Sequence, residues 1–174
     1  MGYEEVNDQE RNIKLFNTPV EVGLRCLFLL YQFEPVSLSI DKLIYLDYFL
    51  IHSGDVSKEQ KSIHPKYPFR SSEIVVKREL LMNALKLLIS KELANIKFCS
   101  SGIEYQITYI GCKALDYFES SYAEEIKKVS KWIHQTYKDH TEEQLSELIN
   151  ANIQKWGSEF TNESKFRGFL RLIS

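Results

Sequence analysis

The sequence predicts a mainly α protein: a winged helix-turn-helix domain of three helices and a β-hairpin wing, followed by a C-terminal helical extension. Three observations point to this class. Strongly apolar helical segments succeed one another between residues 18 and 91. Two alternating stretches flank a glycine-containing turn over residues 93–107. Further helical segments with N-terminal capping signals then complete the chain. On this reading residues 1–16 are an arm, 17–119 the winged-helix domain and 120–174 the helical extension.

The arm is largely polar, but Ile13, Leu15 and Phe16 are expected to tuck onto the domain. The first helix begins at Thr18-Pro19-Val20-Glu21, where Thr18 caps, Pro19 suits the first turn and Glu21 completes a capping box. Val22 to Tyr31 is apolar on nearly every side, so this helix should be central and buried, and Pro35 ends it. The second helix starts near Ser39 and runs from Ile40 to Ile51, with Ser53-Gly54 as its stop. Ile40, Leu43, Ile44, Leu46 and Leu50 supply its apolar positions, and Tyr45, Tyr48 and Phe49 add aromatic surface.

A connector over residues 54–70 holds Pro65 and Pro68, and loops of that length in a compact domain are often functional. The third helix starts at Ser71 or Ser72, where Glu73 favours the helix dipole, and reaches about Lys91. Ile74, Val75, Leu80, Leu81, Ala84, Leu85 and Leu88 form its core stripe, leaving Lys77, Arg78 and Lys86 exposed. Leu93–Cys99 and Ile103–Ile107 alternate about Ser100-Ser101-Gly102, and this hairpin is the wing. Thr108 caps a further helix that ends at Phe118. Ser121-Tyr122-Ala123-Glu124 and Thr141-Glu142-Glu143-Gln144 are capping boxes for two more. Their stripes are Ile126, Val129, Ile133 and Tyr137, then Leu145, Leu148, Ile149 and Trp156. The apolar, basic tail Phe166–Ile173 reads equally as a partner-docking helix or as an end that closes the domain.

Formal net charge is −2, whereas proteins that grip phosphates usually carry a positive balance or a basic face. Nucleic-acid contact is therefore expected to be local or shared with a partner. The three cysteines, Cys26, Cys99 and Cys112, lack paired or metal-ligand spacing and are expected to be reduced, buried thiols. The acidic start is unlike a signal or transit peptide, and no apolar run is long enough to span a bilayer, so a cytoplasmic protein without membrane contact is expected.

Phosphate-cradling glycine loops, the nucleophile elbow and the HExxH zinc motif are all missing, so neither catalysis nor a cofactor is expected. His52, Ser53 and Asp55 lie too close in sequence for a plausible triad, and His52, Asp55 and His64 meet at a metal only if the connector folds back. Helix C-capping and loop hydrogen bonding suit them better. For DNA, Arg70, Lys77 and Arg78 on the third helix and Lys97 on the wing are the candidate contacts, thinned by Glu73 and Glu79. For a protein partner, the candidates are Tyr45, Tyr48, His52, Asp55, His64, Tyr67, Phe69 and Arg70, because aromatic and arginine side chains anchor interfaces.

Three runs carry a family resemblance. They are Phe16 to Arg25 (FNTPVEVGLR), Leu43 to Asp55 (LIYLDYFLIHSGD) and His64 to Glu73 (HPKYPFRSSE). Together they resemble the middle component of ABC three-component systems, a group that includes the accessory subunit of Lamassu anti-phage and anti-plasmid defence complexes. The resemblance covers roughly residues 15–135. It implies a non-catalytic adaptor beside an SMC/Rad50-like, DNA-sensing ATPase and an effector, often a nuclease, held inactive until foreign DNA is detected. DNA would be met through the complex. The competing reading from the fold pattern is a winged-helix transcription regulator, and a small enzyme using His52 and Asp55 ranks below both.

Overall fold

The computed structural model describes residues 18–64 and 70–152, with the backbone alone for residues 55 and 70–76. Ile13, Leu15, Phe16, Trp156 and the tail Phe166–Ile173 lie outside the described residues. The chain is mainly helical with one small antiparallel sheet. In order it forms α1 (Pro19–Phe33), β1 (Leu38–Ser39), α2 (Ile40–Ile51), α3 (Ser53–Val56), α4 (Arg70–Ser90), β2 (Ala94–Cys99), β3 (Gly102–Ile107), α5 (Tyr109–Leu115) and α6 (Ser121–Tyr137). A further helix, α7, covers residues 142–152.

α1 starts as its sequence requires: the Thr18 hydroxyl accepts from the Glu21 amide, with Pro19 in the first turn. The Glu21 side chain does not complete the box; it turns inward, toward Arg25 and Tyr122. Cys26, Leu27, Phe28, Leu29 and Leu30 are all buried, as expected of a helix apolar on every side. α1 is the central element, packing on α2, α4, α5, α6 and β3.

α2 has the expected bounds, with Ser39 accepting from the Lys42 amide. Tyr48 and Phe49 do not form a surface; both are fully buried, because α2 is covered by α1, α4 and α6. α2 ends at Ile51, ahead of Ser53-Gly54, as expected. After His52 the backbone makes one more turn, α3, so the connector proper begins at Ser57. α4 begins at Arg70, slightly ahead of the expected Ser71.

The sheet has the order β1-β3-β2. The hairpin pairs Ala94 with Ile107, Ile96 with Tyr105, Lys97 with Glu104 and Phe98 with Ile103. Ser100 and Ser101 make the turn, and Gly102 opens β3 at φ 127°, a backbone conformation that side chains with a Cβ resist. β1, which the sequence does not announce, pairs Leu38 with Tyr105 and Ser39 with Glu104, fastening the hairpin to the body.

α6 is capped by Ser120, which accepts from the Ala123 amide, rather than by Ser121. Its stripe Ile126, Val129, Ile133 and Tyr137 is buried as expected. The Thr141–Gln144 box closes reciprocally: the Thr141 amide donates to Gln144 Oε1 at 2.8 Å and the Gln144 amide to Thr141 Oγ1 at 3.3 Å. Leu145 and Ile149 then enter the core, whereas Leu148 points outward. These side chains share one apolar cluster with α1, α2 and α4. Among the described residues no helix is long and apolar enough to cross a membrane.

Candidate functional site

The sequence runs with the clearest character converge inside the molecule. α1 contributes Glu21 and Arg25, one helical turn apart; α2 contributes Asp47, α4 Lys77, the connector His64 and α6 Tyr122. Arg25 Nε donates to Asp47 Oδ1 at 2.6 Å and Nη2 to Oδ2 at 3.3 Å, a two-pronged contact suited to the planar guanidinium. Lys77 Nζ donates to Asp47 Oδ2 at 2.8 Å. Arg25 Nη1 reaches Glu21 Oε1 at 3.2 Å, and the Tyr122 hydroxyl donates to the same oxygen. His64 Nε2 lies 3.3 Å from both Glu21 Oε1 and the Tyr122 hydroxyl.

Arg25 and Asp47 are each 1% exposed and Lys77 only 5%. Burial opposes ionisation, and an isolated charge here would be prohibitive. Burial alone would raise the Asp47 carboxyl, but Arg25 and Lys77 outweigh it and hold the group well below the usual carboxylate range. Burial would likewise lower the Arg25 guanidinium, and Asp47 reverses that, raising it above its ordinary value. The Tyr122 hydroxyl is pushed upward by burial and by its bond to Glu21. This arrangement exchanges no proton near neutral pH through Asp47 or Arg25. Its chemistry is positional: it locks four helices and the connector together.

The described part of the connector is strapped to α3 and to the end of α2. Ser53 Oγ donates to Lys61 O at 3.0 Å, the Gly54 amide to Ser62 Oγ at 3.2 Å and the His64 amide to Ile51 O at 3.3 Å. A Cβ on Gly54 would stand 2.8 Å from Ser62 N, so only glycine permits this approach.

The remaining candidates are dispersed. Tyr45 is half-buried against the core. Tyr48 and His52 are interior, with their rings 4.8 Å apart. Tyr67 and Phe69, with the side chains of Asp55 and Arg70, lie outside the described residues. Lys77, expected on a solvated face, is buried because α4 packs that side against α1 and α2. Arg78 is exposed and pairs with Asp41. Lys97 is exposed on β2, opposite Glu104. Of the thiols, Cys26 is buried as expected and burial raises it, but Cys99 is exposed near the hairpin turn and Cys112 is partly exposed. Among the described residues no set of His, Cys, Asp or Glu side chains converges on a metal position.

Residue-by-residue reading missed Glu21, Arg25, Asp47 and Tyr122. The signal was present, since Arg25 and Asp47 each stand alone inside long apolar helical runs, and such lone charges need each other.

A second feature lies on the surface. Cross-strand partners share a face of the hairpin, so Ala94 and Ile107, then Ile96 and Tyr105, then Phe98 and Ile103 form one apolar ladder from core to tip. Its outer rungs stand in water: Ile96 is 41% exposed, Ile103 52% and Phe98 84%.

Fold and site together define a small, mainly helical protein with an ionic cluster inside its apolar core and an apolar ladder exposed on its hairpin. The chain belongs to the ABC-three component (ABC-3C) system Middle Component 2 family, whose model matches residues 15–159. It is thus an accessory middle component of a multi-subunit system and works with protein partners. No curated protein and no solved structure matches the chain.

Proposed function

We propose that the chain is a non-catalytic adaptor subunit of a Lamassu-type defence complex in the cytoplasm. It joins an SMC/Rad50-like, DNA-sensing ATPase to an effector, most simply a nuclease, and helps to hold that effector inactive until foreign DNA is detected. Residues 17–119 form the winged-helix domain in this reading, 1–16 its arm and 120–174 its helical extension. The order helix, short strand, helix, one-turn helix, helix, hairpin over residues 19–107 supports the winged-helix assignment. Family membership supports the subunit role, and the three sequence runs support the Lamassu-type complex.

The observation that carries the adaptor reading is the contrast between the hairpin and α4. Ile96, Phe98 and Ile103 stand in solvent, while Lys77 and Arg78 of α4 face Asp47 and Asp41. A phosphate-gripping surface needs the reverse, with cations turned outward. Exposed aromatic and aliphatic anchors suit a protein partner. Connector residues Tyr67, Phe69 and Arg70 are offered as a second contact.

Tagged protein expressed from its own operon is expected to co-purify with a coiled-coil ATPase encoded beside it; recovery without any such subunit overturns the reading. Tyr67→Ala with Arg70→Ala is expected to weaken that recovery while the isolated chain stays folded. The element order also favours a second reading, a winged-helix transcription regulator touching DNA through Arg78 and Lys97. It requires a salt-sensitive gel shift on the upstream region, run at two salt concentrations.

A further inference from the structure

We infer that an apolar groove between α1 and α4 is the seat of the chain's own residues 13–16. The groove encloses about 550 Å³ and is walled by Leu24 and Leu27 of α1, Leu87 and Leu88 of α4, Leu93 and Phe118. A concave apolar surface of this size matches sites that bury a few side chains of a ligand or peptide.

Thr18, the first described residue, lines the same groove. The chain enters α1 there with extended backbone, φ −73° and ψ 151°. An extended chain advances about 3.3 Å per residue, so three residues span about 10 Å, which keeps the groove within reach of residue 15. The sequence places apolar residues at that reach: Ile13, Leu15 and Phe16 follow the wholly polar stretch Asn7 to Asn12. Loop closure becomes costlier with length, and the competing apolar segment Phe166–Ile173 is separated from residue 152 by a much longer stretch. A segment tethered beside its groove also has a high effective concentration there, which a second chain must match.

The test uses the full chain with Cys99→Ser and Cys112→Ser, carrying Phe16→Cys and Leu24→Cys. Leu24 is half-buried on the groove wall, so the change is mild. Mild oxidation is expected to form a disulfide within one chain, seen as lost free thiol and faster migration on a non-reducing gel at every protein concentration. Phe16→Cys paired with Phe98→Cys on the hairpin should give none. A second measurement does not depend on bond geometry: Leu15→Ser with Phe16→Ser is expected to cause loss of hydrogen-exchange protection over residues 87–93. A disulfide formed only between chains assigns the groove to a second copy and overturns the inference. So does unchanged protection in the double variant, or loss of protection on deleting 166–173 in its place.

Discussion

Asp47 serves two cations at once: Oδ1 accepts from Arg25 Nε at 2.6 Å, and Oδ2 accepts from Lys77 Nζ at 2.8 Å and from Arg25 Nη2 at 3.3 Å. Neither cation has solvent to fall back on, so removing the negative charge takes away the buried counter-charge they share. Asp47→Asn keeps the shape and is expected to cost about 3–5 kcal/mol, the usual result of breaking one side of a buried pair. Chemical denaturation measures it, and a loss below about 1 kcal/mol would show that the interior is far wetter than its burial implies. The exposed pair Arg78–Asp41 provides the contrast: Arg78→Ala should change stability by less than about 1 kcal/mol. The acid side follows from the same carboxylate. Asp47 titrates lower in the folded chain than in the unfolded one, so its contribution is complete above the unfolded value, near pH 4, and is lost as pH falls toward the folded value. An acid-unfolding curve should therefore steepen below about pH 4, and Asp47→Asn should remove that component.

Among the elements, α5 rests on a contact that only glycine allows. A Cβ on Gly111 would lie 2.1 Å from Leu93 O and 2.8 Å from Ile107 Cγ1. Leu93 O cannot retreat freely, since it accepts from the Thr108 amide at 3.0 Å at the start of the same helix. Gly111→Ala is expected to cost about 1–3 kcal/mol by overpacking, read from the thermal midpoint. The elements most legible in the sequence were those with a cap and a periodic stripe together. α2 behind Ser39 is of this kind, and the hairpin was legible from its alternation about Gly102 and α6 from its stripe. β1 was illegible because a stretch as short as Leu38–Ser39 cannot display a period of two residues. α3 hid behind Ser53-Gly54, a pair that ordinarily ends helices. The site was half-legible. Lone Arg25 and Asp47 in apolar runs imply a partner, but nothing local says that Lys77, an ordinary helix-surface residue by type, joins them. That depends on how α4 is rolled against α1 and α2, which is a tertiary fact.

At the scale of the whole molecule a small ionic cluster lies inside the apolar core, and a row of apolar side chains lies outside it. Phe98→Asp should leave the isolated chain's stability within about 0.5 kcal/mol, because the side chain packs on little. The same variant should sharply reduce recovery of partner subunits from the operon; undiminished recovery would move the docking surface away from the hairpin. One further consequence concerns interchangeability. The hairpin leaves the body at Ala94 and returns at Ile107, buried residues that face each other in register. The stretch 96–103 touches none of the interior ions, so it can be exchanged for the matching stretch of a related subunit as a cassette. Recognition would then travel with the cassette, while the body accepts it unchanged.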